Sequence, residues 1–321
     1  MIIGMTGVSS GLAKVLVPKL QGDPSVERII GIDVNDFRGN RDKITFIKGD
    51  VRDMPSMESA FQNVDILFHL AFIVGEGKIP DMKTIYDINI NGSKSVFNAA
   101  AKSKVKKIIY LSSVSAYGHQ PESPPVVTED FPLLGTVTTN FYYSFTKATV
   151  EQFLDQFEKD HPEISVIRAR PPIFSRSHSS VNLRTLSTPK RTSSRVLFPL
   201  NQNGKLPVQL INEDDLTDAL MLLMKKDIRG AYNVASSPLP DLCAFLKEEF
   251  NHELKPASYR WNNFYLRMQN RWPKLGWIQA LKYMCILDTA KMEKELGWKP
   301  KMTTEDIIRT ALPSSRKKVG K

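Results

Sequence analysis

Five short apolar runs, spaced by amphipathic stretches, dominate the first half of this 321-residue chain. They are RIIGIDV (Arg28 to Val34), ITFIKGD (Ile44 to Asp50), DILFHLA (Asp65 to Ala71), KIIYLSS (Lys107 to Ser113) and ISVIRARP (Ile164 to Pro171). A sixth run, Met1 to Met5, opens the chain. Rich in β-branched residues and apolar on both faces, they read as strands buried between two layers, as parallel strands are. Helical patterns separate them at Leu12–Gln21, Met54–Gln62, Met82–Lys102 and Phe141–Lys159. Repeated βα units with right-handed crossovers predict an α/β fold built on a doubly wound parallel sheet of Rossmann type. After Pro171 the rhythm breaks. The expected organisation is a sheet domain over 1–171, a smaller mixed α/β domain over 172–312 interleaved with it, and a basic tail over 313–321.

Composition excludes little else. Hydrophobic residues make up 41% and charged residues 24%, ordinary for a soluble globular protein. No apolar run reaches the roughly eighteen residues that span a bilayer. The chain starts inside a strand, leaving no room for a leader, and its two cysteines, Cys243 and Cys285, suggest no disulfide framework. A cytoplasmic protein is expected. The formal charge of +10 is concentrated: 168–205 and 255–282 contain no acid, and the tail adds more. The first cluster reads as a hold on an anionic small-molecule ligand rather than nucleic acid. The second is also aromatic, but Pro273 and Gly276 interrupt it, which favours packed helices over a membrane-surface helix. For the tail, a solvated face and an anionic partner stay open.

The stretch MTGVSSGLAK (Met5 to Lys14) lies between the first strand and the first helix. A phosphate-cradling turn needs glycine where the backbone bends with positive φ or approaches a pyrophosphate; Gly7 and Gly11 answer that need. Ala13 stands where a third glycine would let helix and strand touch, and Ser9 and Ser10 can donate to phosphate. Asp33 ends the second strand, at the distance where an acid takes the ribose hydroxyls of NAD. Its charge would repel the extra phosphate of NADP, although Arg38 and Arg41 lie nearby in sequence. Asp50 ends the third strand, within reach of adenine.

YYSFTK contains Tyr143 and Lys147 at i, i+4, on one face of a helix. An ammonium beside a phenol favours phenolate, pulling a pKa of about 10 toward working pH. Such a tyrosine exchanges the proton of a substrate hydroxyl while hydride moves to or from a nicotinamide. Ser113, at the carboxyl end of the strand in YLSSVSAYG, is positioned to bond the reacting oxygen.

In order, the loop, Asp33, GDVRD, HLA, NINGS, SSVSAYG, YYSFTKATVEQF, RARPP, INEDDLTDAL and LDTAKMEKELGWKP resemble extended short-chain dehydrogenases/reductases, the NAD-dependent epimerase/dehydratase family. The resemblance covers nearly the whole chain and implies a sheet domain that binds NAD, with a substrate domain after it. By resemblance Ser113, Tyr143 and Lys147 match the catalytic positions. Gly7, Ser10, Gly11, Asp33, Asp50, Val51, Leu70 and Ala71, with Tyr143, Lys147 and the backbone at Pro171, match cofactor contacts. The family's habit of pairing through helices such as 82–102 and 141–159 implies a homodimer.

Two departures narrow the reaction. Val114 and Ser115 stand where the family's sugar dehydratases carry an acid pair, so dehydration is not expected. Gln209 stands near the position of an arginine that family members use on nucleotide diphosphates; Arg176, Arg184, Arg191 and Arg195 of the acid-free cluster are the substitutes expected here. The expected activity is hydride transfer at a secondary alcohol or ketone, including epimerisation of a nucleotide sugar. The alternatives are a dehydrogenase or reductase for a sterol-like or other non-nucleotide substrate, and a protein that senses NAD without turnover. His69 and Trp298 read as core residues, and no spacing suggests a metal site.

Overall fold

In the computed structural model the described residues are 1–74, 81–120, 124–137, 141–175, 204–251, 279–280 and 282–312. The apolar runs form the expected strands: β1 (Ile2–Thr6), β2 (Arg28–Asp33), β3 (Ile44–Lys48), β4 (Ile66–His69), β5 (Lys107–Leu111) and, after the two-residue β6 (Val126–Val127), β7 (Ser165–Arg170). The intervening helices are α1 (Ala13–Gly22), α2 (Met54–Ala60), α3 (Met82–Tyr86), α4 (Ser93–Lys102) and α5 (Tyr142–Asp160). The chain then runs through β8 (Ile173–Ser175), β9 (Leu210–Asn212), α6 (Glu213–Lys225), β10 (Gly230–Asn233), α7 (Leu242–Phe250), β11 (Ile286–Leu287), α8 (Ala290–Leu296) and α9 (Thr304–Ala311).

Seven strands form one parallel sheet in the order β10-β7-β5-β4-β1-β2-β3. Strand order reverses beside β1, the switch point at which open parallel sheets hold a crevice at the carboxyl edge. Side chains alternate between two cores, as the two-residue period of a strand requires. Ile29, Phe68 and Ile109 join Leu16 of α1 and Leu220 of α6 on one face. Ile30, Leu67 and Ile108 join Phe61, Phe97 and Leu154 on the other. Both faces of the central strands are covered, which is why their sequences are mainly apolar; β3, at the edge, has no fully buried residue, and β7 buries Arg168 and Arg170 against acids of α5.

The second half returns to this sheet. β10 pairs with β7 at its edge, and α6 lies against α1, where Lys19 donates to Asp218 at 2.6 Å and to the Asp214 carbonyl at 2.9 Å. A separate small core gathers Leu206, Leu242, Leu246, Ile307 and Ile308. Trp298 packs in the main core at the end of α8, as its sequence setting implies.

One expected helix differs. Met82–Lys102 is broken by a π-helical segment, Asp87–Gly92, between α3 and α4. The wider turn rotates Asn89 into the interior. There its amide accepts from Ile73 N at 2.8 Å and donates to Ile73 O at 3.0 Å, tying down the loop after β4. A period count over the sequence cannot see the extra residue in that turn.

Candidate active site

The loop after β1 turns at Gly7, whose φ is +76°. A Cβ there would stand 2.6 Å from Ala71 N and 2.9 Å from Leu70 C. Glycine is therefore required twice over, by conformation and by the close approach of the β1 and β4 ends. Ser10 Oγ accepts from Ala13 N at 3.4 Å at the start of α1. Ser9 presents N–H to Asp33 Oδ2 at 3.0 Å, while its hydroxyl donates to Asn35 O at 3.0 Å. Asp33 thus ends β2 as expected, oriented by Ser9 and by Asn35 N at 2.8 Å. Asp50 lies two residues past β3 and is bound by Arg52 at 2.6 Å, whose guanidinium holds its carboxyl below the usual range. Arg52 also pairs with Asp87 at 3.0 Å. Val51 and Leu70 are buried beside the crevice, with Ala71 partly so.

His69 is enclosed behind this edge. Ser93 Oγ donates to Asn89 O at 2.6 Å, so it accepts from His69 Nε2 at 2.9 Å. His69 Nδ1 then accepts from Thr6 Oγ1 at 2.6 Å. Burial, with Lys147 adding to it, pushes the imidazole down to about 3. It is a neutral structural histidine with both nitrogens satisfied.

Ser113, Tyr143 and Lys147 come together at the end of β5. Ser113 precedes a 3₁₀ turn (Val114–Tyr117), and its Oγ accepts from Ser115 N at 3.2 Å. Its side chain lies near enough to the Tyr143 phenol to favour the ionised form. Val114 N donates to Pro171 O at 2.9 Å, which joins the end of β7 to the same corner. Lys147, buried one turn after Tyr143, donates to Leu111 O at 2.6 Å, its one oxygen partner among the described residues.

The electrostatics differ from expectation. Burial pushes the Tyr143 phenol up to about 12, against the lowering influence of Ser113. Lys147 does not bring it down, because the ammonium turns to the Leu111 carbonyl and stands 5.8 Å from the centre of the Tyr143 ring. Burial lowers Lys147 itself well below the ordinary lysine value, and Glu151 opposes that shift.

Sequence reasoning missed Glu151, although it continues the i, i+4 series of Tyr143 and Lys147 on the same helix face. The carboxylate is fully buried and receives Ser112 Oγ, with Arg170 Nε at 3.0 Å and Arg170 Nη2. Burial alone would raise it, but Arg170, with Arg168 and Ser112, holds it below the ordinary value. Arg170 Nη1 continues to Tyr117 Oη at 2.8 Å, which donates to Asn233 Oδ1 at 2.7 Å. The candidate site is thereby braced from α5 through β7 to β10.

Gln209 is buried and occupied: it donates to Ser236 O and Leu287 O and accepts from Leu287 N. It is a cross-link with no hydrogen left for a ligand. Arg176, Arg184, Arg191 and Arg195, most of the aromatic basic stretch and the tail lie outside the described residues.

Comparison with known proteins joins these observations. Residues 3–235 match the family model described as the NAD dependent epimerase/dehydratase family. An uncharacterized protein of Mycobacterium bovis is 23% identical over 319 residues, 96% of this chain and 82% of that one. A UDP-glucose 4-epimerase of Neisseria meningitidis is 33% identical over 132 residues, 40% of this chain and 37% of the relative. Among solved structures, the dTDP-glucose 4,6-dehydratase DesIV of Streptomyces venezuelae with NAD and TYD bound matches with a TM-score of 0.72 at 18% identity, covering 97% of this chain and 96% of that one. A UDP-glucose 4-epimerase of Thermotoga maritima with UDP-glucose matches at 0.70 and 20%, covering 97% of each chain. The two structures share this fold: seven parallel strands flanked by helices. With the family model matched over most of its length, the chain belongs to the NAD dependent epimerase/dehydratase family.

Proposed function

We propose that the protein binds NAD along the carboxyl edge of the sheet and transfers hydride at a secondary alcohol or ketone, with Tyr143 as proton carrier. The observation that carries this reading is the convergence of Ser113 and Tyr143 at the end of β5, with Lys147 buried one turn behind and donating to Leu111 O. The residues present fit a dinucleotide. A Cβ at Gly7 would strike the Ala71 and Leu70 backbone, so the turn stays tight and bare there, and neither the Gly11 nor the Leu12 N–H meets a described acceptor at the start of α1. Those groups would hold the pyrophosphate. Asp33 would take the adenosine ribose, its charge favouring NAD over NADP, and Val51, Leu70 and Ala71 would line the path.

When bound, the dinucleotide supplies a two-electron hydride acceptor. As the substrate C–H bond breaks with its electron pair leaving as hydride, the O–H proton passes to the oxygen of Tyr143 in its phenolate form and the carbonyl forms. In reverse, Tyr143 returns that proton. A phenol near 12 is protonated at neutral pH, so in the free protein Tyr143 is set to give a proton rather than take one. Ser113, whose Oγ already accepts from Ser115, has its hydrogen to offer the reacting oxygen. The likeness to UDP-glucose 4-epimerases supports the version in which hydride returns to the other face of a sugar carbon.

A second reading is a dehydrogenase for a non-nucleotide, sterol-like substrate. It is favoured by Val74, Val137 and Ile173, which are 64%, 67% and 42% exposed after β4, before α5 and after β7. A panel of sugar nucleotides and apolar secondary alcohols separates the two. Conversion without net reduced cofactor supports epimerisation, and its accumulation supports the dehydrogenase. With whichever compound turns over, Tyr143→Phe lowers the rate by about 10²–10⁴-fold while NAD binding persists. NAD binding with turnover indifferent to that change overturns the role of Tyr143.

A further inference from the structure

The ammonium of Lys147 is enclosed mainly by rings. Its Nζ lies 3.5 Å from the centre of the Phe72 ring and 4.7 Å from that of Tyr110. Phe72 in turn meets Tyr143 edge to face, with centroids 5.8 Å apart. We propose that Phe72 is a positioning residue for Lys147 and Tyr143: its ring face caps the ammonium, and its contact with the phenol ring sets their spacing. The proposal takes the importance of those two side chains from the reading above.

Three observations carry it. The first is chemical. A primary ammonium has three hydrogens, and the Leu111 carbonyl takes one. The buried charge must be met by something else, and an aromatic face carries the negative end of a quadrupole. The second is that Phe72 is fixed from both sides. Leu70 N donates to Thr6 O at 3.1 Å, Asn89 grips both backbone groups of Ile73, and Tyr142 Oη donates to Val74 O at 2.8 Å. That clamp fixes the backbone from which the ring projects. The third is Tyr110, whose buried hydroxyl has no partner among the described residues. At that position the residue contributes its ring.

The charged and titratable groups around Lys147 leave room for this effect. Glu151 follows it on α5, but its carboxylate is shared with Arg170 and faced by Arg168 from β7. His69 on β4 is neutral, and Tyr110 on β5 and Tyr143 on α5 are phenols held protonated by burial. No undivided negative charge faces the ammonium, so the ring face matters.

The test is NMR titration of the full chain carrying ¹³Cε-labelled lysine, with no cofactor or substrate present. The Lys147 signal is assigned by its loss in Lys147→Arg. Phe72→Leu should shift the protonation equilibrium of Lys147 about tenfold toward the free amine. Phe72→Trp and Tyr110→Phe, which keep the ring faces, should leave it in place. A Phe72→Leu protein that is folded and titrates like the parent overturns the proposal. If that variant does not fold, fluorinated phenylalanines at position 72 keep the shape while draining the ring face. A stepwise fall with fluorine count then supports the cap, and invariance overturns it. Since neither ligand is present, this outcome is separate from the Tyr143→Phe result.

Discussion

His69 and Lys147 are buried on neighbouring elements and share one ring, Tyr110, which stacks on the imidazole at 5.7 Å and stands 4.7 Å from the ammonium. Their surroundings differ. Both ring nitrogens of His69 have uncharged partners: Thr6, Ser93 and Asn89 close a chain of hydrogen bonds. Around Lys147 a charge is held by one carbonyl, ring faces and a carboxylate that two arginines share. A neutral satisfied histidine needs only packing. A buried charge of this kind costs stability and is retained where something uses it, so the second centre is where we place the chemistry.

The contrast can be broken most severely at Glu151. Glu151→Gln leaves Arg170 buried with no anion and should cost about 3–5 kcal/mol, read from denaturant unfolding. A cost under about 1 kcal/mol would mean that the brace is dispensable. The histidine centre predicts a pH effect instead. His69 is pushed down to about 3 and His119, by burial, to about 4, whereas an unfolded histidine titrates near 6.5. Between those values the unfolded chain binds the proton and the folded one does not. Stability is therefore complete above pH 6.5 and should fall by about 1.4 kcal/mol per histidine for each pH unit below it. Unfolding curves at stepped pH above the carboxylate range check this, and a flat profile would mean that these imidazoles accept protons in the folded state. The smallest effect belongs to the surface. Lys19, on the seam between α1 and α6, pairs with Asp218 at 2.6 Å. Lys19→Met should change thermal stability by less than about 1 kcal/mol, because exposed pairs are screened and entropically costly.

The sheet was legible because its central strands are buried on both faces and so carry short, mainly apolar runs, as in Ile2–Thr6 and Lys107–Leu111. The Gly7 turn and the Tyr143–Lys147 spacing were legible because each depends on neighbours in sequence. Asn89 and the π-helical turn were not, since only the approach of the β4 loop gives that side chain a partner. Nor was the place of β10, since AYNVA reads as a strand but its seat beside β7 is a long-range pairing between Gly230–Asn233 and Ile167–Arg170.

By itself, then, the sequence determined the alternating architecture, the dinucleotide-type loop and the helix face that bears Tyr143, Lys147 and Glu151, all set by local periodicity. Tertiary structure alone decided how those side chains are charged. The phenol is raised rather than lowered because burial outweighs Ser113, while the Lys147 donor goes to Leu111. It also brought Phe72 and Arg170, distant in sequence, against the same helix. Desolvation and through-space charge depend on which groups folding brings close, and no spacing along a chain records that.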